Sequence, residues 1–499
     1  MNASTSSSSR SIGFHVALTS IGFAVVQLDV TIVNVALPRI GADLGVSVAS
    51  LQWVVAAYTL SFAVLLLTAG ALSDALGARS AYSAGFAVFA LASSMCGLAP
   101  DAGSLIGARA LQGVGAALLV PSSLALLRDA CGNDSALRAR CVGQWTAAGG
   151  VSIAAGPIVG GALLSTFGWQ SIFLVNVPLC MAAALLTLRT FDATAQRLKA
   201  ARIDLAGQAL AVVALTALVA SIIAASAPAA NHDLLTAGFL VAALATVAFC
   251  RVEATTDAPM LPLEFFRRPG FACAIIFGVV ANLTYYGVVF VLTLYLQHGV
   301  GYSAFEAGLA YLPLTATFIV SNVVSGAVAA RYGRRFPIIA GALIGATGFA
   351  LLTRLDAFSS YRAMLPAFAL IPLGMGLAVP AMTTVVLSSV ERHWTGTAAG
   401  ALNAARQVGG AVGVALFGAL AGADRNRIIS GLHGAARISI ALLIVAALIV
   451  WIGMRRVGHA SRGDGGTVRA APASDASASS HDAPDAPMGT CQRMHSGSR

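Results

Sequence analysis

Asp29 stands inside an unbroken hydrophobic segment, in the run Leu28-Asp29-Val30-Thr31-Ile32-Val33-Asn34-Val35-Ala36-Leu37-Pro38. A carboxylate at the centre of a membrane helix costs roughly 2.5–3.5 kcal/mol on insertion scales, so it is kept for a purpose. No other acidic residue lies well inside a hydrophobic segment of this chain. The chemistry open to such a group is capture and release of a proton. Arg109 is the matching cation, in Arg109-Ala-Leu-Gln112-Gly113 of the fourth segment. Intramembrane arginines face the bundle interior and pair. At 1.5 Å per residue, Asp29 and Arg109 lie roughly 12 Å and 10 Å from the same side of the membrane. A pair at matched depth is therefore expected, with Gln112 one turn further along the same face as Arg109. Loss of water favours the neutral form of a carboxyl, and a nearby cation favours the charged form. A conformational switch that moves this balance by two pKa units is worth roughly 3 kcal/mol, enough to couple a proton to a structural change.

The elements that must hold this pair are membrane helices. The chain of 499 residues is 58% hydrophobic and 10% charged, with a mean hydropathy of +0.82. A soluble domain carries roughly 25% charged residues, so the apolar runs must meet lipid or one another. Fourteen runs are long enough to span: 13–37, 50–72, 80–99, 103–127, 140–164, 169–189, 203–226, 233–250, 271–297, 304–330, 336–353, 361–388, 397–422 and 435–454. Basic residues fall mostly on alternate loops, those with Arg79, Arg128, Arg138, Arg140, Arg189, Lys199, Arg251, Arg267, Arg331 and Arg335. The positive-inside rule places those loops, and both termini, in the cytoplasm. It also accounts for the formal charge of +10 without nucleic acid. Residues 1–11 and 457–499 are rich in Ser, Ala, Asp and Gly and are expected to be unstructured tails. The seven cysteines show no spacing for disulfides or metal and read as apolar filler.

The chain repeats itself. Gly70-Ala-Leu-Ser-Asp74-Ala-Leu-Gly77-Ala-Arg79 follows the second run, and Gly326-Ala-Val-Ala-Ala330-Arg-Tyr-Gly333-Arg-Arg335 follows the tenth. Glycine, glycine and arginine keep their spacing. Runs 1–6 and 9–14 therefore form two related halves, 12–190 and 270–456, with runs 7–8 (203–250) inserted between them. Two facing six-helix halves describe a secondary transporter with its site at their interface.

With these motifs in place the chain resembles the major facilitator superfamily, in its fourteen-helix drug:proton antiporter branch. The resemblance rests on the Asp29 run, the Gly70–Arg79 loop, the Arg109–Gly115 run and Gly149-Gly150-Val-Ser-Ile-Ala-Ala-Gly156-Pro157-Ile-Val-Gly160-Gly161. Trp169-Gln170-Ser-Ile-Phe173-Leu-Val-Asn176 and Asn403-Ala-Ala-Arg406-Gln407 add to it. It implies an all-α polytopic membrane protein of fourteen transmembrane helices in the inner membrane. The activity implied is proton-coupled export of lipophilic, often cationic, compounds by alternating access. The alternative is export of one endogenous metabolite or self-made antibiotic. Asp29 and Arg109 would couple the proton. Gly70, Asp74, Gly77 and Arg79 would form a conformational latch, Asp74 meeting the start of helix 13 near Thr395. Gly149, Gly156, Pro157, Gly160 and Gly161 would be the antiporter motif, closing a leak path by tight packing. Substrate-cavity candidates are Gln112, Trp53, Tyr58, Trp145, Tyr285, Tyr286 and Arg406, with Phe290 and Tyr311 nearby. The energy source would be the proton gradient, with no cofactor and no metal. A monomer is expected, and a periplasmic adaptor is left open.

Other classes fare badly. The only lysine, Lys199, follows no glycine-rich run, so no phosphate-binding loop for ATP exists. No two of the eight histidines sit at ligand spacing, and no catalytic cluster marks an enzyme.

Overall fold

The computed structural model describes residues 3–132, 134–192, 204–225, 230–256, 259–391, 394–422 and 424–463. Every regular element among them is helical. We number the long helices α1 (Ala3–Leu44), α2 (Val48–Leu76), α3 (Ala78–Gly97), α4 (Ala102–Cys131), α5 (Ser135–Phe167), α6 (Ser171–Leu174 with Asn176–Thr190), α7 (Leu205–Ala224) and α8 (His232–Thr255). The series continues with α9 (Pro269–Leu294, extended by a wider turn at Tyr295–Val300), α10 (Ala304–Ala310 with Leu312–Tyr332), α11 (Arg335–Leu352), α12 (Tyr361–Ser388), α13 (Thr395–Leu420) and α14 (Arg425–Gly463).

Thirteen of these are long and apolar enough to cross a membrane; α13 is the exception. Its sequence is heavy in Gly and Ala, with Asn403, Arg406 and Gln407. It packs against α9 on one side and α2 on the other. A helix enclosed by protein does not need a lipid-compatible surface, and 26 residues reach about 39 Å, enough for a ~30 Å core.

Two boundaries depart from expectation. Helix α1 begins at Ala3, inside the stretch 1–11 expected to be unstructured. Serine costs only a few tenths of a kcal/mol in a helix, so the apolar part beginning at Ile12 can propagate backwards through it. At the other end α14 continues to Gly463, into the expected tail; the expectation for 464–499 lies outside the described residues. Among the described residues, those up to Val457 form one compact unit.

The internal repeat is visible in the backbone. Gly77 and Gly333 both turn the chain with positive φ, 87° and 79°, at matching ends of α2 and α10. Only glycine enters that region cheaply. The α1–α2 and α9–α10 links match too. Gly45 (φ 63°) and Gly301 (φ 92°) each precede by two residues a serine, Ser47 or Ser303, that caps the next helix. That correspondence is an additional sign of the duplication.

Packing sorts the helices. Helix α1 lies on α5, α2 on α4, α3 on α4 and α6, α9 on α13, and α11 and α10 on α12. The seam between the halves is made by α2 with α13 on one side and by α5 with the first turns of α10 on the other. The inserted pair α7–α8 docks at the α2–α13 side. There Val219 and Ile223 pack with Ala56, Leu60, Ala411 and Ala415, and Gln208 donates from Nε2 to the Val64 carbonyl at 3.1 Å.

Candidate functional site

Asp29 and Arg109 meet. Arg109 Nη1 lies 2.5 Å from Asp29 Oδ2, with both side chains at 1% exposure or less. A further residue of α4 and three more helices complete the site. From α4, Gln112 donates through Nε2 to Asp29 Oδ1 at 2.8 Å, and its Oε1 accepts from Arg109 Nη1 at 2.6 Å. Nε2 of Gln112 also lies 2.9 Å from Ser93 Oγ on α3. Asn176 Nδ2, from α6, donates to Asp29 Oδ1 at 3.3 Å. From α2, the Val54 carbonyl accepts from Arg109 Nε at 3.1 Å, and the Tyr58 ring covers the guanidinium at 4.2 Å. Phe173 stands 5.8 Å from the same cation.

The physics explains the number of partners. A buried ion pair survives only if its remaining lone pairs and protons are satisfied. Here both carboxylate oxygens have donors, and the arginine has two acceptors besides the carboxylate. A ring face over a desolvated guanidinium adds about 2 kcal/mol. The matched depths of Asp29 and Arg109 and the turn spacing to Gln112 made three members legible in the sequence. Asn176, Ser93 and the Val54 carbonyl were missed. Asn176 had a signal, an amide within an apolar run two residues before Pro178. A backbone carbonyl has none.

Beyond this network, toward the second half, lies a small cavity of about 20 Å³. Thr31 and Asn34 of α1, Ile153 and Pro157 of α5, Tyr285 and Tyr286 of α9, and Tyr311 and Thr315 of α10 line it. Tyr285, Tyr286 and Tyr311 thus stand where an aromatic cavity was expected. Tyr58 and Gln112 belong to the ion-pair network instead. Trp53 packs with the Ala56–Val219 cluster beside α7 and is no cavity residue. Five residues separate it from Tyr58, about 140° around the helix, so the two cannot face the same way. Trp145 also lies off the cavity: it stacks on Phe23 at 3.9 Å and donates from Nε1 to Ser123 Oγ at 3.2 Å. Phe290 is fully buried in the second half's core.

Arg406 lies near the middle of α13. Its Nε donates to Asn282 Oδ1 on α9 at 3.2 Å. No carboxylate pairs with it among the described residues.

The glycine-proline run of α5 makes close contacts on two sides. A Cβ on Gly156 would collide with Thr31, one on Gly160 would come within 2.8 Å of Ile32, and one on Gly149 would strike the Phe23 ring. These let α5 close onto α1. On the other side a Cβ on Gly161 would lie 2.9 Å from Phe305 Cα, and one on Gly308 would strike the Pro157 carbonyl. Those two contacts join the halves. Gln297 reinforces the same end by donating to the Val35 carbonyl at 2.9 Å. Toward the end bearing Arg79, Arg138 and Arg331 the packing relaxes: Gly143, Gly150 and Gly326 face open space. A second cavity of about 400 Å³ opens there, between Val16, Ser20 and Ala24 of α1 and Gln144 and Ala148 of α5. The bundle is therefore closed at one end and open at the basic end.

In this open state the expected latch is not engaged. Asp74 is exposed and has no hydrogen-bond or ion-pair partner among the described residues, while Arg79 reaches the Leu188 carbonyl on α6 of its own half at 2.5 Å. Gly70 faces open space, and Gly77 makes the positive-φ turn already described.

Comparison with known proteins follows the same lines. The profile of the Major Facilitator Superfamily matches residues 19–414. The Methylenomycin A resistance protein of Bacillus subtilis (strain 168) is 34% identical over 461 residues, 90% of this chain and 96% of that protein. The Methylenomycin A resistance protein of Streptomyces coelicolor is 36% identical over 406 residues, covering 81% and 85%. The Tetracenomycin C resistance and export protein of Streptomyces glaucescens is 37% identical, covering 80% and 74%. Among solved structures, a bacterial homolog of the human lysosomal transporter Spinster, in an inward-facing and unoccupied conformation, superposes with a TM-score of 0.65. Its identity is 17%, over 89% of this chain and 97% of that one.

Proposed function

Because the chain belongs to the Major Facilitator Superfamily, a family of membrane-embedded transporters and not enzymes, we propose that it exports lipophilic drugs or antibiotics in exchange for protons. The observation that carries the proton part is the sealed Asp29–Arg109–Gln112–Asn176 network. It holds the one carboxylate well inside the membrane, between α1, α4 and α6, one helix face away from Thr31 and Asn34 of the central cavity. Protonating Asp29 removes the charge that holds Arg109. Its release lets α1 and α4 shift against α2, and the seam at Gly161 and Gly308 is the closure that must open in turn. The proton gradient is the energy source, and no cofactor is needed.

The basic loops, and with them both termini, lie in the cytoplasm of an inner-membrane protein. The open end then faces the cell interior, ready to collect substrate. The protein acts as a monomer on this reading, with a periplasmic adaptor left open.

A second reading, export of one endogenous metabolite or self-made antibiotic, is favoured by relatives named for methylenomycin A and tetracenomycin C. Both readings share one test. Cells lacking their own pumps are loaded with a lipophilic dye, and extrusion is followed with wild type and with Asp29→Asn, with and without a protonophore. Extrusion that the protonophore and the substitution each abolish supports a broad exporter. Extrusion restricted to one antibiotic, scored by resistance, supports the narrow one. Undiminished extrusion by Asp29→Asn overturns the coupling role.

A further inference from the structure

The charges along the interface do not balance. Asp29 is neutralised by Arg109 at 2.5 Å, within a shell that excludes water. Arg406 has no such counterpart. It lies eleven residues into α13, about 16 Å along the helix and so near the bilayer midplane. Its aliphatic stem rests on Gly278 of α9, where a Cβ would lie 3.3 Å from Arg406 Cγ. Its Nε is held by Asn282. The terminal nitrogens meet no acceptor among the described residues, yet they are not sealed: the side chain is part-exposed, and those atoms are not among the buried polar atoms without a partner. The fork is therefore fixed at its base and free at its tip.

One turn of α13 separates Arg406 from the wall of the central cavity. Tyr286, a cavity-lining residue, packs on Gly410 one turn beyond Arg406. Tyr286 also packs against the core cluster that holds Tyr58, whose ring covers Arg109. The Tyr286 side of the cavity wall thus lies against the helix that carries the unneutralised guanidinium.

We propose that Arg406, positioned by Asn282, is the docking point for a negatively charged group, a carboxylate or comparable oxyanion, on an otherwise lipophilic substrate. This rests on the transport reading above and narrows its substrate class. A planar guanidinium offers paired N–H donors that match a carboxylate, and a membrane-embedded cation attracts an anion far more strongly than a solvated one does. The same charge repels a cation. Tyr285, Tyr286 and Tyr311 supply the apolar wall for the rest of the molecule.

The test separates binding from transport. The full chain is purified in detergent, and two xanthene dyes of similar size are titrated by fluorescence anisotropy, anionic fluorescein and cationic rhodamine 6G. The wild type is expected to bind fluorescein more tightly. Arg406→Gln is expected to weaken fluorescein roughly ten- to hundredfold, the range for a charge-assisted contact, while leaving rhodamine 6G unchanged or tighter. Arg406→Lys, which keeps the charge, is expected to restore most of the fluorescein affinity. Preference of the wild type for the cation, no measurable fluorescein binding by folded wild type, or an unchanged ratio in Arg406→Gln overturns the proposal. Because binding is read at equilibrium, a failure of proton coupling in the Asp29→Asn efflux assay leaves this result standing, and the two ideas fail separately.

Discussion

Asp29→Asn is the sharpest perturbation available, because it removes a charge while changing almost no volume. Asp29 now accepts from three donors: Arg109 Nη1 on Oδ2, and Gln112 Nε2 and Asn176 Nδ2 on Oδ1. An asparagine offers one acceptor and one donor group. If its oxygen faces Arg109, its amide meets two other amides; if it faces them, its amide meets the guanidinium. One donor–donor conflict is unavoidable, and Arg109 remains buried without an anion. Removing one partner of a buried pair costs about 3–5 kcal/mol, mostly for the stranded charge. The cost should therefore fall when the charge goes as well. Arg109→Met keeps the stem and drops the charge, so Asp29→Asn with Arg109→Met is expected to be more stable than the sum of the single substitutions implies, by roughly 1–3 kcal/mol of coupling. Thermal unfolding of the four proteins in one detergent reads the sign of that coupling. A transport assay reads the function: Asp29→Asn in proteoliposomes should lose uphill, proton-driven transport yet retain exchange of labelled for unlabelled substrate without a gradient. Strictly additive stabilities would refute the pairing, and uphill transport by Asp29→Asn would refute the coupling.

Three further outcomes follow from the packing. Gly156→Ala places a methyl against Thr31, and an overpacked contact of this kind costs about 1–3 kcal/mol, whereas Gly150→Ala faces open space; only the first should lower the melting temperature and dye extrusion. Gly308→Ala pushes on the Pro157 carbonyl at the closed end, so turnover should fall while equilibrium dye binding persists, as measured side by side in vesicles and in detergent. Tyr58→Phe keeps the ring over Arg109 and loses only a 3.4 Å hydroxyl contact to the Val26 carbonyl, so extrusion should stay close to wild type; Tyr58→Leu removes the ring face, worth about 2 kcal/mol, and should impair it.

The division between sequence and structure follows from what each kind of information encodes. Hydropathy runs long enough for a bilayer determine the spans, because lipid accepts only backbone that satisfies itself. The cost of a charge in hydrocarbon singles out Asp29 and Arg109, and rise per residue alone sets their common depth. The one span that is not apolar enough, α13, was still placed by the parity of the basic loops. Rotation about each helix axis and the crossing of helices far apart in the chain are another matter. They depend on which small residues let which backbones approach, and hydropathy is blind to them. So only the tertiary structure brought Asn176 and Ser93 to the ion pair, turned Trp53 away toward α7, set Trp145 on Phe23, and drew Gly161 and Gly308 together at one end while leaving Gly150 and Gly326 open at the other. It likewise left Arg406 with an amide for a partner where Arg109 has a carboxylate, a difference that two arginines in similar membrane helices do not reveal in sequence.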